Sequence, residues 1–330
     1  MTGKVNFDRL ASIIEGFDSY RVAVVGDVAL DEALYGTIER LNPENRACPL
    51  VKKTTSKYTL GCAANVASNI SSFNAWTYLY GVIGNDNYGS EVRKLCKSGI
   101  SPDLFLEGPT MCKQRIFGDG HYLTRVDYGE TELSPLSSAI SLQILNGLEN
   151  LDSSRGGVGS IVLSDYYKRV FRGDLAQRVI QLARRMNVPV FAAPKPENVG
   201  KFSGVDLLCV NLSEAGKATG IMGYERRRES ALKLKEMTGS KYVIVTCGEH
   251  GMCSYDGDFH ESPTKAKQVI DVSGAGDTVL SALTLSLLSG ANIAEASQIA
   301  NYAAGIVVEK PGTAVVGIPE LIERIRADSR

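Results

Sequence analysis

Short apolar runs recur along the chain at Arg21–Gly26, Thr77–Ile83, Ser160–Leu163, Val188–Ala192, Asp206–Val210 and Tyr242–Thr246, with stretches of helical spacing between them. A run without alternation suits a strand covered on both faces, and strands that alternate with helices build a parallel sheet carrying helices on either side. The expected fold class is therefore α/β. Two regions break the rhythm, 34–59 and 110–128, where polar and apolar residues partly alternate as in half-exposed strands. Both follow turns of the large sheet. They are expected to pair into a small sheet over its ligand edge, serving as a lid or a dimer contact. Asp152–Gly159 reads as a flexible surface connection.

Composition narrows the function. With 36 basic and 37 acidic residues the formal net charge is -1, which argues against nucleic-acid and acidic-membrane partners and for a small, locally recognised substrate. The seven cysteines are scattered and the three histidines form no zinc-type spacing with them, so reduced thiols and a cytoplasmic location are expected. No basic-then-apolar leader and no bilayer-length apolar window stand out.

The chemistry concentrates in Asp271–Thr278, where Gly274, Ala275 and Gly276 lead into Asp277 and then an apolar helical stretch. The first turn of a helix has unpaired N–H groups and the positive end of the dipole, a place for an anion beside a carboxylate. The same residues would also serve an ordinary capped core helix. Ligands of open parallel sheets bind beyond the carboxyl ends of the strands, which brings in Asp27, Asp31, Asp165, Lys168 and Lys195. The aspartates can accept from sugar hydroxyls and the lysines can meet phosphate, although turn capping and surface ion pairs compete for each. Gly61 opens a helical stretch carrying Asn65, whose amide can reach hydroxyls. Asn211 and Glu214 have the hard oxygens that magnesium takes, directly or through water; a helix-capping network is the other explanation. The first strand runs into Gly26-Asp-Val-Ala-Leu-Asp31, so neither a dinucleotide turn nor a GxxxxGK[ST] loop is present.

These residues coincide with a known family. Through Val25–Asp31, Leu41–Pro49, Gly61–Asn69, Leu163–Lys168, Asn211–Glu214 and Gly274–Asp277 the chain resembles the ribokinase-like (PfkB) carbohydrate kinases over almost its full length, most of all the D-glycero-β-D-manno-heptose 7-phosphate kinases. The resemblance implies one kinase domain over 1–330, with a three-layer α/β/α core, a mostly parallel sheet and a small β lid. It makes Asp277 the base, Gly274–Gly276 the anion hole, Asp27, Asp31, Gly61, Asn65, Asp165, Lys168 and Lys195 sugar or phosphate contacts, and Asn211, Glu214, Thr246, Gly248 and Asn301 nucleotide contacts. Glu214 and Asn211 would organise Mg2+, and Asp271 with 310–313 a monovalent cation such as K+. The implied reaction is transfer of the ATP γ-phosphoryl to O1 of a heptose 7-phosphate, by a homodimer, without the nucleotidyltransferase domain that some relatives carry. A kinase for another sugar, or a non-catalytic sugar- or nucleotide-binding protein, are the alternatives. The chain departs from the family pattern at Cys62 and Arg169, where glycines are usual, and at Ala193, where an aspartate is usual.

Overall fold

The computed structural model describes residues 6–45, 47–97, 99–130, 133–154 and 157–328. Its strands are β1 (Arg21–Gly26), β2 (Val28–Leu41), β3 (Pro49–Cys62), β4 (Trp76–Ile83), β5 (Ile100–Leu106), β6 (Met111–Gly118), β7 (His121–Tyr128), β8 (Ser160–Ser164), β9 (Val190–Ala193), β10 (Leu207–Asn211), β11 (Tyr242–Thr246), β12 (Met252–Tyr255) and β13 (Phe259–Ser262). The helices are α1 (Phe7–Glu15), α2 (Ala63–Ser72), α3 (Asn87–Leu95), α4 (Ser138–Ser154), α5 (Leu175–Met186), α6 (Leu212–Thr219), α7 (Arg227–Thr238), α8 (Ala275–Leu288), α9 (Ile293–Val307) and α10 (Ile318–Ala327).

A nine-stranded sheet runs in the order β13-β12-β11-β10-β9-β8-β1-β4-β5. It is parallel from β11 to β5, with β12 and β13 added antiparallel at one edge. Val22 and Val24 of β1 pack on one face with residues of α1, α2, α8, α9 and α10, while Ala23 and Val25 pack on the other with α4, α5 and α7. Apart from β5 at the edge, the parallel strands are thus buried on both sides, which is why they read as apolar runs. The order reverses at β1, whose neighbours are β4 and β8, so the crevice at the switch point lies beyond Gly26 and Ser164.

The second sheet, β3-β2-β6-β7, comes from the two regions that broke the rhythm, but it reaches further than 34–59 and 110–128. β2 starts at Val28 and β3 ends at Cys62. The difference arises because Val28, Ala29 and Leu30 are all buried where the ribbon leaves the body, so alternation emerges only further out. Strands β5, β12 and β13 were not anticipated: β5 and β13 are edge strands of mixed burial, and β12 beside β13 is only four residues long and carries Ser254 among its buried positions, so none produces an apolar run. α4 continues to Ser154, into the stretch read as flexible, of which Arg155 and Gly156 lie outside the described residues. α8 is buried from Asp277 to Ser286 on every side rather than along one stripe. Most of its polar positions are satisfied: Thr278 Oγ1 donates to Asn69 Oδ1 at 2.7 Å, Ser281 Oγ to the Asp277 carbonyl at 2.8 Å and Thr284 Oγ1 to the Leu280 carbonyl at 2.8 Å, while the Ser286 hydroxyl has no protein partner.

Candidate active site

At the switch point two aspartates act as scaffold. Asp27, fully buried after β1, accepts the backbone N–H groups of Tyr166 and Lys168 at Oδ2, both at 3.1 Å, and those of Arg169 and Val170 at Oδ1, both at 3.0 Å. All of its near acceptor directions point into the loop after β8. Asp165 accepts from Tyr167 N–H (2.7 Å), Lys195 N–H (3.0 Å) and the Asn198 amide (3.0 Å), joining the ends of β8 and β9. Both were expected to touch sugar; instead they hold the segments that carry other side chains. Ala193, at the usual aspartate position, ends β9 without a carboxylate, and Asp165 supplies the acceptor for the Lys195 N–H.

Asp277 sits in the first turn of α8, 8% exposed. Asn65 on α2 donates to its Oδ2 at 2.7 Å and the Tyr166 hydroxyl to its Oδ1 at 2.8 Å. Burial pushes the Asp277 carboxyl up to about 6, against the opposing pull of Asn65, Tyr166 and Lys113. It is therefore an anion at neutral pH yet a better proton acceptor than an ordinary aspartate. Gly274 caps the helix at φ 79°, in the left-handed region, and a side chain there would meet Asn65 Nδ2 at 2.8 Å. It lends no side-chain cap, so the opening N–H groups of the helix remain available. One expected donor is partly spent: Ala275 N–H reaches the Val272 carbonyl at 3.3 Å, leaving Gly276 and Asp277 as the better anion donors.

The small sheet places a charged face beside this carboxylate. Its register sets Thr59, Asp31, Lys113 and Asp127 in one row across the strands and Lys57, Ala33, Arg115 and Arg125 in the next row on the same face. Asp31 is 7% exposed, with the Arg115 guanidinium 3.3 Å from Oδ1 but off the hydrogen-bond direction, which leaves that oxygen without a bonded donor. Burial raises its pKa, opposed by Arg115 and Lys113. Gly61 makes room for it, since an added Cβ would lie 3.2 Å from the Asp31 carboxyl carbon. Cys62, at φ 55° where the resemblance leads one to expect glycine, receives Lys113 Nζ at 3.3 Å; burial pushes its thiol up to about 12, so it stays neutral. The two lysines expected to meet phosphate are engaged elsewhere: Lys168 Nζ pairs with Glu130, and Lys195 Nζ with Glu214. Lys113, Arg115 and Tyr166 were missed. Strand alternation in 113–115 was the available signal for the first two; Tyr166 offered none, because its partner lies 111 positions away.

Further along the same sheet edge, Asn211 at the end of β10 forms a capping box with Glu214: its side chain accepts Glu214 N–H at 2.8 Å, and Glu214 Oε2 accepts Asn211 N–H at 2.9 Å. With Glu214 Oε1 on Lys195, the pair suits magnesium through water rather than by direct ligation. Among the described residues no cluster of three or more His, Cys, Asp or Glu forms a metal cage. Thr246 ends β11 and Gly248 turns at φ 58° beside it, on the same edge. Asn301, expected near a nucleotide base, spends its amide on the Ser262 and Pro263 carbonyls at 2.7 and 3.2 Å and so holds the segment after β13. Asp271 accepts Ser273 N–H (2.8 Å) and Gly312 N–H (3.0 Å); despite partial burial these backbone donors lower its pKa. It organises the turn, and its carboxylate oxygens are already hydrogen-bonded where a direct cation ligand was expected.

A cavity of about 940 Å3 opens at the opposite, amino ends of β1, β4 and β8, between Tyr20, Asn74, Trp76 and Gly159. None of the residues above lines it. The chemistry instead converges where the Asp277 carboxylate, a helix N-terminus and the charged sheet face meet.

A family model described as pfkB family carbohydrate kinase matches residues 21–321. The bifunctional protein HldE of Pasteurella multocida is 38% identical over 320 residues, covering 95% of this chain and 65% of that protein. The HldE of Haemophilus influenzae (strain ATCC 51907 / DSM 11121 / KW20 / Rd) is 36% identical over 317 residues, covering 94% and 64%. The chain thus spans a little under two thirds of the length of these relatives. Among solved structures, Escherichia coli phosphofructokinase-2 in complex with potassium superposes with TM-score 0.77 at 16% identity, covering 94% of this chain and all of that one. Arabidopsis thaliana ribokinase complexed with ribose and ATP gives TM-score 0.69 at 18% identity, covering 93% and 99%. The fold is ribokinase-like, and the chain belongs to the pfkB family of carbohydrate kinases, ATP-dependent phosphotransferases that act on sugar hydroxyls.

Proposed function

We propose that this kinase phosphorylates D-glycero-D-manno-heptose 7-phosphate at its anomeric oxygen, giving the 1,7-bisphosphate. The observation that carries the chemistry is the buried Asp277 carboxylate, held by Asn65 and Tyr166 at the start of α8. The O1–H oxygen attacks the γ-phosphorus, the O1–P bond forms as the bond to the β,γ-bridging oxygen breaks, ADP leaves, and the O1 proton passes to Asp277. Late proton transfer suits the loose transition state of phosphoryl transfer. The Gly276 and Asp277 N–H groups, in the first turn of α8, would stabilise charge on the transferring group. Asn211 and Glu214 would hold magnesium through water, and the ion would supply neutralisation of charge on the nucleotide phosphates. K+ near Asp271 belongs to the same reading only through backbone carbonyls.

Support for a phosphorylated sugar comes from the lid face. There Lys57, Lys113, Arg115 and Arg125 outnumber the carboxylates of Asp31 and Asp127, a balance that favours a dianion. Support for heptose comes from the resemblance through 41–49 and 165–168 and from the relatives named HldE. The departures at Cys62 and Ala193 favour a related sugar phosphate as the second reading. Residues 1–330 are read as one kinase domain acting as a homodimer in the cytoplasm.

The test is ADP release with ATP and magnesium across a panel of sugars and sugar phosphates. Heptose 7-phosphate should give the highest kcat/KM, and Arg115→Met should raise KM for the phosphorylated sugar about tenfold or more while sparing ATP. A non-phosphorylated hexose that outperforms it would overturn the substrate assignment and leave the kinase assignment standing.

A further inference from the structure

Tyr166 joins the scaffold to the candidate base. Its backbone N–H is fixed by Asp27 Oδ2 at 3.1 Å, and its hydroxyl donates to Asp277 Oδ1 at 2.8 Å. Its ring packs against Ala29, Cys62, Met111 and Leu133. Two ammonium groups, Lys113 Nζ from the lid and Lys195 Nζ from the end of β9, each lie 5.0 Å from the ring centroid. One side chain is therefore in contact with the carboxylate, with a cation beside Asp31, and with the cation paired to Glu214.

We infer that Tyr166 is a positioning residue for phosphoryl transfer, whose hydroxyl fixes both the orientation of Asp277 and its ionised state while its ring ties that carboxylate to lysines on the sugar and nucleotide sides. This rests on Asp277 being the base. A rigid aromatic arm anchored at its backbone leaves the hydroxyl little freedom, so Oδ1 is held and the carboxylate cannot rotate away from an incoming hydroxyl. Burial and the neighbouring Asp277 charge raise the phenol well above its usual range, so it remains a donor throughout the working pH. Donation to the anion counteracts the burial that favours the neutral acid.

The other groups facing Asp277 are Asn65 from α2, Lys113 from β6, Asp31 from β2 and Cys62 at the end of β3. Lys113 favours the anion and Asp31 disfavours it. Cys62, held neutral, contributes no charge, so the Tyr166 and Asn65 donors are the principal neutral supports.

The experiment is the pH profile of kcat/KM for the wild type, Tyr166→Phe, and the chain carrying 2,3-difluorotyrosine at 166, using whichever sugar the substrate panel turns over; loss of the heptose assignment thus leaves the test intact. The wild-type acid limb should fall near 6. Tyr166→Phe should move it up by about one unit, with kcat reduced most at low pH and KM for ATP unchanged. The fluorinated phenol, a stronger donor of the same shape, should move the limb down. An acid limb in the wild-type position in both, or a loss that is uniform across pH, would overturn the inference. If Tyr166→Phe fails to fold by circular dichroism, the fluorinated protein decides alone. A limb that persists in Asp277→Asn would instead overturn the assignment of the base.

Discussion

Asp277 carries a conflict between stability and chemistry that can be measured. An unfolded aspartate ionises near 3.8, and this one folded near 6. Between those values the folded state keeps a proton that the unfolded state has released. Stability therefore falls as pH rises through the window, and above about 6 the loss is complete. At 1.36 kcal/mol per unit this amounts to ~3 kcal/mol. Asp277→Asn should relieve it, because an amide can accept from Asn65 and donate to the Tyr166 oxygen without a buried charge. Denaturant melts should show the variant more stable than wild type at pH 8, by up to ~3 kcal/mol, with the difference vanishing below pH 4. The same variant should lose turnover by at least about a hundredfold while keeping its ATP affinity. Loss of activity without gain of stability would mean that the folded carboxylate ionises near its unfolded pKa, its charge being compensated by its neighbours. The glycines and aspartate at 274–277 were legible because a helix start is a local signal. The partners that tune the carboxylate, Asn65 and Tyr166, were respectively half-legible and invisible.

At the scale of elements, the small sheet meets the body through few polar contacts. Thr59 Oγ1 lies 2.7 Å from Thr313 Oγ1 in the loop before α10, and Lys168 and Arg169 pair with Glu130 and Glu107 on either side of the β6–β7 hairpin. These contacts bracket the hairpin's roots and leave its outer part projecting. If the sheet closes over sugar, amides within 34–59 and 110–128 should exchange several-fold more slowly in the presence of sugar and a non-hydrolysable ATP analogue than without them; equal exchange would rule out ligand-driven closure. The alternation in these segments revealed a sheet apart from the core. It did not reveal that Asp31 stands within that sheet, at the foot of β2, because the foot is buried on both faces and reads like a core strand. Arg169, buried in place of a small glycine, uses its guanidinium on Glu107 and thereby ties the Asp27-held loop to the hairpin root.

For the whole molecule, the small sheet also exposes apolar surface. Tyr122 is 58% exposed and Leu41 56%, with Tyr128 and Val126 nearby on β7 also exposed. A pair of copies meeting at these sheets would cover them, so light scattering at assay concentration should return twice the chain mass, and a single-chain mass would exclude the dimer. What the sequence by itself determined was the α/β body and the helix start that holds Asp277, since apolar periodicity and turn chemistry act over a few neighbouring residues. Only the tertiary structure decided which polar residue does what. Asp27 and Asp165 turn inward as scaffold, Lys168 and Lys195 are claimed by Glu130 and Glu214, and Lys113, Arg115 and Tyr166 arrive beside Asp31 and Asp277. Those outcomes follow from which strands are neighbours and in what register, and a buried polar group must take whatever partner that arrangement puts within about 3 Å.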